Sequence, residues 1–311
     1  MQIDRRRFVK QAGGASIGLL MSSLGVNDFA GSKEPDKLTI LHTNDLHGKL
    51  ERFPQDAGYN AERGGIAGLS GLIAQIRNEI DHCLLFDAGD IFGRTPCFEM
   101  YKGEPEIKAM SLMGYDACTI GESDLSAGFE NLANQLKYAN FPVINANYDF
   151  EGTAMQNKIM PYKIFERGNR KVGVTGVGID LKNLIPDNIY SNKMYKDPIQ
   201  NANIQATYLR KQGCDLIICL SHLGDKYDDG RICDEILAKE SYEIDLIIGG
   251  HTHKFFDKPT TYKNKKGNDT SITQAGWGGL QLGRLDYSFS RSRNKNLWQS
   301  HTVVLRKKTK E

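Results

Sequence analysis

Four short motifs place imidazoles and carboxylates at close, regular spacing: Asn44-Asp45-Leu46-His47, Asp87-Ala88-Gly89-Asp90, Ser221-His222 and Gly249-Gly250-His251-Thr252-His253. Each follows an apolar, strand-like run, at 38–41, 84–86, 216–220 and 246–248. Hard and borderline ligands at the C-terminal ends of several strands are what a two-metal hydrolytic centre needs. Side chains two apart leave a strand end on the same face, so Asp45 and His47 can reach one metal; His251 and His253 are also two apart, after two glycines. Asp90 follows Gly89, where the missing side chain allows close approach, and its two oxygens can bridge two cations. Asp87 is the weaker candidate, because a role as backbone acceptor competes. Four of the seven histidines fall at such strand ends; His42, His82 and His301 do not, and read as structural or surface residues.

These residues need a scaffold that delivers several strand ends to one edge. From Leu38 the chain alternates short apolar strands with helical stretches. Helical spacing is expected over 65–80, 104–113, 129–138, 199–211 and 231–239. Strands are expected at 117–120, 142–147, 171–177, 216–220 and 246–250. This rhythm predicts an α/β core. After Lys258 the texture becomes strand-like, at 260–263, 270–274, 281–290 and 296–305, with a hairpin turn at Lys266-Gly267-Asn268-Asp269. That part reads as a β-meander extending a sheet. Residues 31–37 read as a solvated linker and 307–311 as a charged, frayed tail.

The front end reads as an export signal. Arg5-Arg6-Arg7-Phe8-Val9-Lys10 precedes a moderately apolar stretch with glycines, the pattern of a twin-arginine address on residues 1–30 and of a periplasmic or exported protein. The stretch falls short of the ~20 apolar residues of a membrane span, and no span is expected in the mature chain. The whole chain has 40 basic and 38 acidic side chains. Removing Arg5, Arg6, Arg7 and Lys10 with Asp4 and Asp28 brings the two counts level. Nothing in that balance points to nucleic acid or an anionic membrane as partner. The six cysteines contain no C-x-x-C pair; Cys83 and Cys219 read as small buried hydrophobes.

With these motifs in place, residues 38–290 resemble the N-terminal metallophosphoesterase domain of the bacterial 5'-nucleotidase and UDP-sugar hydrolase family. The matching blocks are 39–48 (TILHTNDLHG), 87–96 (DAGDIFGRTP), 220–224 (LSHLG), 248–253 (IGGHTH) and 274–286 (QAGWGGLQLGRLD). The resemblance implies a four-layer α/β/β/α sandwich of the calcineurin-like class over 38–306, with the metal site at the sheet ends. It assigns Asp45, His47, Asp90 and His253 to one metal, with Asp90 shared with a second held by His222 and His251. Arg94 in the second block and Trp277 in the closing block are the candidate substrate contacts, though Trp277 is equally compatible with the core.

Two departures from the family pattern matter. The family's middle block reads G-N-H-E-F-D; here it is Gly121-Glu122-Ser123-Asp124-Leu125-Ser126. Glu122 takes the asparagine ligand position. Ser123 takes the catalytic histidine's, and its aspartate partner falls on Ser126. Serine cannot protonate a leaving group as an imidazolium does, and such a group contributes ~10²–10⁴-fold. Asp124 is the candidate replacement acid. The second departure is length: no C-terminal nucleotide-binding domain is expected. The leading reading is an exported di-metal phosphoesterase, with Zn, Mn or Fe bound, acting on small phosphomonoesters or nucleotides. A separately encoded nucleotide-binding protein is a candidate partner. The alternatives are a metal-binding pseudoenzyme that serves as an interaction subunit, and a hydrolase of another tetrahedral ester, like the family's thiosulfohydrolases.

Overall fold

The computed structural model describes residues 36–185, 190, 194–290 and 295–304, the last ten by backbone alone. The twin-arginine stretch, most of the linker, the His301 side chain and the 307–311 tail lie outside the described residues. Asp36 and Lys37, expected in the linker, already belong to the first strand.

Thirteen strands are described: β1 Asp36–Thr43, β2 Cys83–Asp87, β3 Ala117–Cys118, β4 Val143–Ile144, β5 Ile159–Met160, β6 Tyr162–Arg167, β7 Arg170–Gly178, β8 Leu216–His222, β9 Leu246–Gly249, β10 Thr260–Lys263, β11 Asp269–Thr273, β12 Gln281–Phe289 and β13 Lys295–Val304. They form two sheets, in the orders β13-β12-β1-β2-β3-β4-β5 and β10-β11-β9-β8-β7-β6. The α-helices are α1 Gly65–Glu79, α2 Pro96–Tyr101, α3 Glu104–Met113, α4 Phe129–Gln135, α5 Pro198–Lys211 and α6 Asp234–Glu240.

Strand periodicity explains the layering. Alternate residues point to opposite faces. Leu38, Ile40, Leu84 and Phe86 of the first sheet meet Val172, Val174, Ile218 and Ile248 of the second in a core between the sheets. The opposite face of β1 and β2, with Leu41 and Leu85, packs on Leu69 and Ile73 of α1 and Ile107 and Met110 of α3. The outer face of the second sheet, with Ile217, Cys219 and Ile247, packs on Ala206 and Leu209 of α5 and Leu237 of α6. Both faces of these strands are buried, which is why they read as apolar runs rather than as an alternating pattern. The result is the expected order of helices, sheet, sheet, helices.

Parallel pairing brings the functional loops to one edge. Thr43 is level with Asp87, and Asp87 with Cys118. In the second sheet Gly178 is level with His222, and Ser221 with Gly249. Loops after β1, β2, β3, β8 and β9 therefore leave side by side, at the C-terminal ends where α/β sheets place their ligands.

The expected C-terminal meander does not form as one unit. The β10–β11 hairpin joins the second sheet, with β11 parallel to β9, whereas β12 runs antiparallel to β1 in the first. The chain changes sheets through Gly276, Gly278 and Gly279, all at positive φ, a conformation glycine reaches without steric cost. Sequence periodicity also passed over β5, β6 and α2. The two residues of β5 are too few to show a period, and β6 is an edge strand with no fully buried residue.

Candidate metal centre

Except for His222, which ends β8, the ligand-type side chains do not stand on the strands. β1 ends at Thr43, and the next residues turn. Among the described residues nine non-glycine positions have positive φ, and five of them are Asp45, His47, Asp90, His251 and His253. Each such position costs about 1–3 kcal/mol and persists only where its surroundings over-determine it. The spacing of two does bring Asp45 and His47 together, but through left-handed loop geometry rather than a shared strand face.

Hydrogen bonds between the loops hold that geometry. Asp45 N–H donates to Gly89 O and His47 N–H to Asp90 O, both at 2.9 Å, and Gly48 N–H donates to Ile91 O at 2.8 Å. Asn44 Nδ2 donates to Asp45 Oδ2 at 2.6 Å, and Asn44 Oδ1 accepts from Ala275 N–H at 2.6 Å. His251 N–H donates to Asp45 Oδ2 at 3.0 Å. Asn44 thus ties the first ligand loop to the glycine-rich crossover, a role its place beside Asp45 could have suggested.

The ligand atoms gather in three overlapping groups: Asp45, His47 and His253; Asp45, Asp90 and His222; Glu122, His222 and His251. His253 Nε2 lies 3.4 Å from Asp45 Oδ1, and His47 Nε2 lies 3.7 Å from both Asp45 Oδ1 and Asp90 Oδ2. His222 Nε2 lies 3.5 Å from Asp90 Oδ1 and 3.2 Å from Glu122 Oε2, and His251 Nδ1 lies 2.9 Å from Glu122 Oε1. The two outer groups are joined through Asp90 and Asp45, as a carboxylate-bridged pair requires.

These atoms suit divalent cations. His222 Nε2, Glu122 Oε2 and His251 Nδ1 are buried yet make no hydrogen bond. Buried polar atoms outside any hydrogen bond are rare and call for an explanation; here all three meet in one cluster, with Glu122 within ion-pair distance of both imidazoles. His222 is oriented by the contact of its other nitrogen with Ala88 O at 2.7 Å, the arrangement common to metal-bound histidines. Three carboxylates share the pocket, so positive charge must be supplied. Burial alone would lower His222, but Asp90, Glu122 and Asp45 hold it well above its usual range. Burial works to raise Glu122, yet His222 and His251 hold it well below the carboxylate range. Gly121 is required at its position: a Cβ there would lie 2.0 Å from Asp90 Oδ1 and 2.6 Å from His222 Nε2.

The other candidates fall in different places. Asp87 accepts from Thr43 Oγ1 at 2.6 Å and Gly89 N–H at 2.9 Å, and burial pushes it up to about 7. Asp124, expected as the stand-in acid, is buried and turned to backbone. It accepts from the N–H groups of Asp90, Phe92 and Gly121 at 2.9, 3.0 and 3.0 Å. Burial, with Asp90 adding to it, pushes Asp124 up to about 8. In this geometry it supports the ligand loops rather than facing a substrate. Ser123 touches the centre differently: its N–H donates to Asp90 Oδ1 at 2.8 Å and its Oγ to Asp90 Oδ2 at 2.9 Å. Trp277 is half-buried and stacks on His253, with ring centroids 5.8 Å apart and planes 17° apart. Arg94 is exposed on the loop after Asp90. His42, read as structural, is buried, and burial lowers it to about 3. Cys219 is buried as expected, Cys83 only partly so; both are free thiols.

Residues 38–255 match the family model described as calcineurin-like phosphoesterase. The chain is 30% identical over 315 residues to the snake venom 5'-nucleotidase of Gloydius brevicauda, covering 95% of this chain and 52% of that protein. It is 34% identical over 278 residues to the 5'-nucleotidase of Vibrio cholerae serotype O1, covering 81% of this chain and 49% of that one. The crystal structure of a 5'-nucleotidase precursor from Thermus thermophilus superposes with a TM-score of 0.77 at 28% identity, over 87% of this chain and 55% of that one. The chain spans about half the length of the curated relatives it matches. Calcineurin-like phosphoesterases bind two divalent metals, and the clusters described above offer ligands for two. By the family match and the fold together, the chain belongs to the calcineurin-like phosphoesterases.

Proposed function

We propose that this protein is an exported two-metal phosphoesterase that hydrolyses small phosphomonoesters, 5'-nucleotides among them. The convergence of buried Glu122, His222 and His251 atoms that make no hydrogen bond, joined through Asp90 to the Asp45–His47–His253 group, carries the reading. In this proposal Asp45, His47, Asp90 and His253 hold one cation, and Asp90, Glu122, His222 and His251 the other. Two divalent cations held by these residues would supply charge neutralisation for phosphoryl oxygens and a lowered pKa for water. The protein's own residues do the rest. Asp124 fixes the backbone that presents Asp90, Ser123 orients the Asp90 carboxylate, and Trp277 braces the half-buried His253 ring and offers an edge to the substrate. Arg94 is the cation available to a phosphate from the loop after Asp90. The arginine-rich front of the sequence supports export; no helix among the described residues is long and apolar enough to cross a membrane.

No imidazole occupies the Ser123 position, and Asp124 is turned away, so proton donation to the leaving group is weak. Substrates with good leaving groups should therefore be favoured. Metal analysis of the purified protein, run beside turnover of p-nitrophenyl phosphate and AMP, tests the assignment. Ser123→His with Ser126→Asp should raise AMP turnover by about 10²-fold and p-nitrophenyl phosphate turnover far less; equal gains would refute the account. The lack of an imidazole at position 123 also supports a second reading, a metal-binding interaction subunit. Two bound metals with neither ester cleaved would put that reading first.

Trp277 alone gives little basis for choosing among bases. The domain by itself should hydrolyse nucleotides that differ only in base at rates within about tenfold, with a separately encoded nucleotide-binding protein supplying discrimination.

A further inference from the structure

The loop carrying His251 and His253 is held in a left-handed conformation, with φ of 70° and 53° at the two histidines. Pairing between β9 and β11 stops at Thr273 opposite Ile248, just before this loop. One buried side chain continues where the pairing ends. Gln274 Nε2 donates to Gly250 O at 3.0 Å and to Thr252 Oγ1 at 3.1 Å. Gln274 Oε1 accepts from Lys254 N–H at 2.9 Å. A single planar amide, donor at one end and acceptor at the other, thus fastens the loop on both sides of the two histidines. Thr252 extends the link, its Oγ1 accepting from Asp225 N–H at 3.1 Å on the loop after His222. The backbone that follows reinforces it: Gly276 N–H donates to Lys254 O at 2.9 Å.

We propose that Gln274 is the positioning residue for both metal sites at once. His251 and His253 belong to different ligand groups, so the clamp on their shared loop sets the separation of the two groups on this side of the centre. The inference rests on reading those groups as a two-metal centre. Gln274 touches no ligand atom of either group; it acts through Gly250, Thr252 and Lys254. A carboxylate at this position keeps the acceptor and loses the donor to Gly250 O, and an apolar side chain loses both.

The test uses the full chain, freed of metal and titrated with Mn²⁺ alone. It is followed by chelator competition for affinity and by electron paramagnetic resonance for the spin-coupled signal of two adjacent Mn²⁺ ions. Wild type should bind two coupled ions. Gln274→Leu should bind both about 10–100-fold more weakly, the range for groups that orient ligands from behind, and should lose the coupled signal. Gln274→Glu should fall between wild type and Gln274→Leu. Should Gln274→Leu fail to fold, Thr252→Val tests the same clamp from its other end and should weaken binding in the same direction. A purely structural role would lower the melting temperature of the metal-free variants while those that stay folded keep wild-type affinity and coupling; that outcome overturns the proposal. Absence of paired Mn²⁺ in wild type would defeat the two-metal reading itself, a result separable from wild-type behaviour in the variants.

Discussion

The two sheets contribute to the centre in different ways. The first supplies all three carboxylates, Asp45, Asp90 and Glu122, with one imidazole, His47; the second supplies only imidazoles, His222, His251 and His253. On the first side the loops are bonded to one another, backbone to backbone, from Asp45 to Gly89, His47 to Asp90 and Gly48 to Ile91. On the second side the histidine loop is fastened mainly by a side chain, Gln274, with one backbone bond from Gly276 N–H to Lys254 O. The carboxylates cannot shed charge by a small adjustment, so they sit where the backbone is interlocked. Imidazoles can be neutral, and they occupy the side with fewer constraints. The comparison teaches that losing the shared carboxylate of the first sheet, Asp90, should disturb both metals, whereas an imidazole lost from the second should disturb mainly its own.

The sharpest way to break this contrast is to remove one ligand from each side. Asp90→Asn should bind neither metal and retain under ~1% of wild-type turnover, more than the ~10–100-fold typical of groups that only orient ligands. His253→Ala should keep about one metal per chain while losing most activity. Full occupancy of Asp90→Asn by elemental analysis, or loss of both metals from His253→Ala, would end the comparison.

A smaller effect should come from the support of the first side. Asp124→Ala strips the acceptor from three buried N–H groups, at Asp90, Phe92 and Gly121. A buried donor left unpaired costs about 1–3 kcal/mol. Urea denaturation of the metal-free protein should show a loss of about 3 kcal/mol or more; a loss under ~1 kcal/mol would show that the first-sheet loops hold without it.

The smallest effect lies where the sheets meet. His42 of β1 is buried, with its ring against Gly283 and its Nε2 3.4 Å from Thr273 Oγ1 of the second sheet. Its folded pKa is lowered to about 3, below the ~6.5 of the unfolded chain. As pH falls below ~6.5 the unfolded state takes the proton first. Stability is therefore full above that value and is lost progressively toward pH ~3, at up to about 1.4 kcal/mol per pH unit. Between pH 6.5 and 5, His42→Gln should lose about 2 kcal/mol less than wild type. Parallel curves for the two proteins would mean that His42 is not buried neutral between the sheets.

Much of the architecture is legible in the sequence because burial on both faces leaves continuous apolar runs. The expected helix 104–113 is α3, the expected strand 260–263 is β10, and the ligand types at 45, 47, 90, 122, 222, 251 and 253 stand in the order the fold uses. That Glu122 and Ser123 stand where the family pattern has asparagine and histidine is what the resemblance implies. Tertiary structure decided how these residues are used. Periodicity describes strands and helices, whereas five of the ligand positions sit at positive φ, where no period exists. Whether Asp124 faces substrate or backbone depends on where three N–H groups from the loops at 90–92 and 121 happen to point. The sheet that β12 joins depends on a glycine-rich crossover, and the value of Gln274 depends on the left-handed loop beside it. Local pattern specifies which groups can bind metal; only long-range hydrogen bonding decides which backbone conformation they bind it from, because that strained conformation is stable only when distant segments hold it.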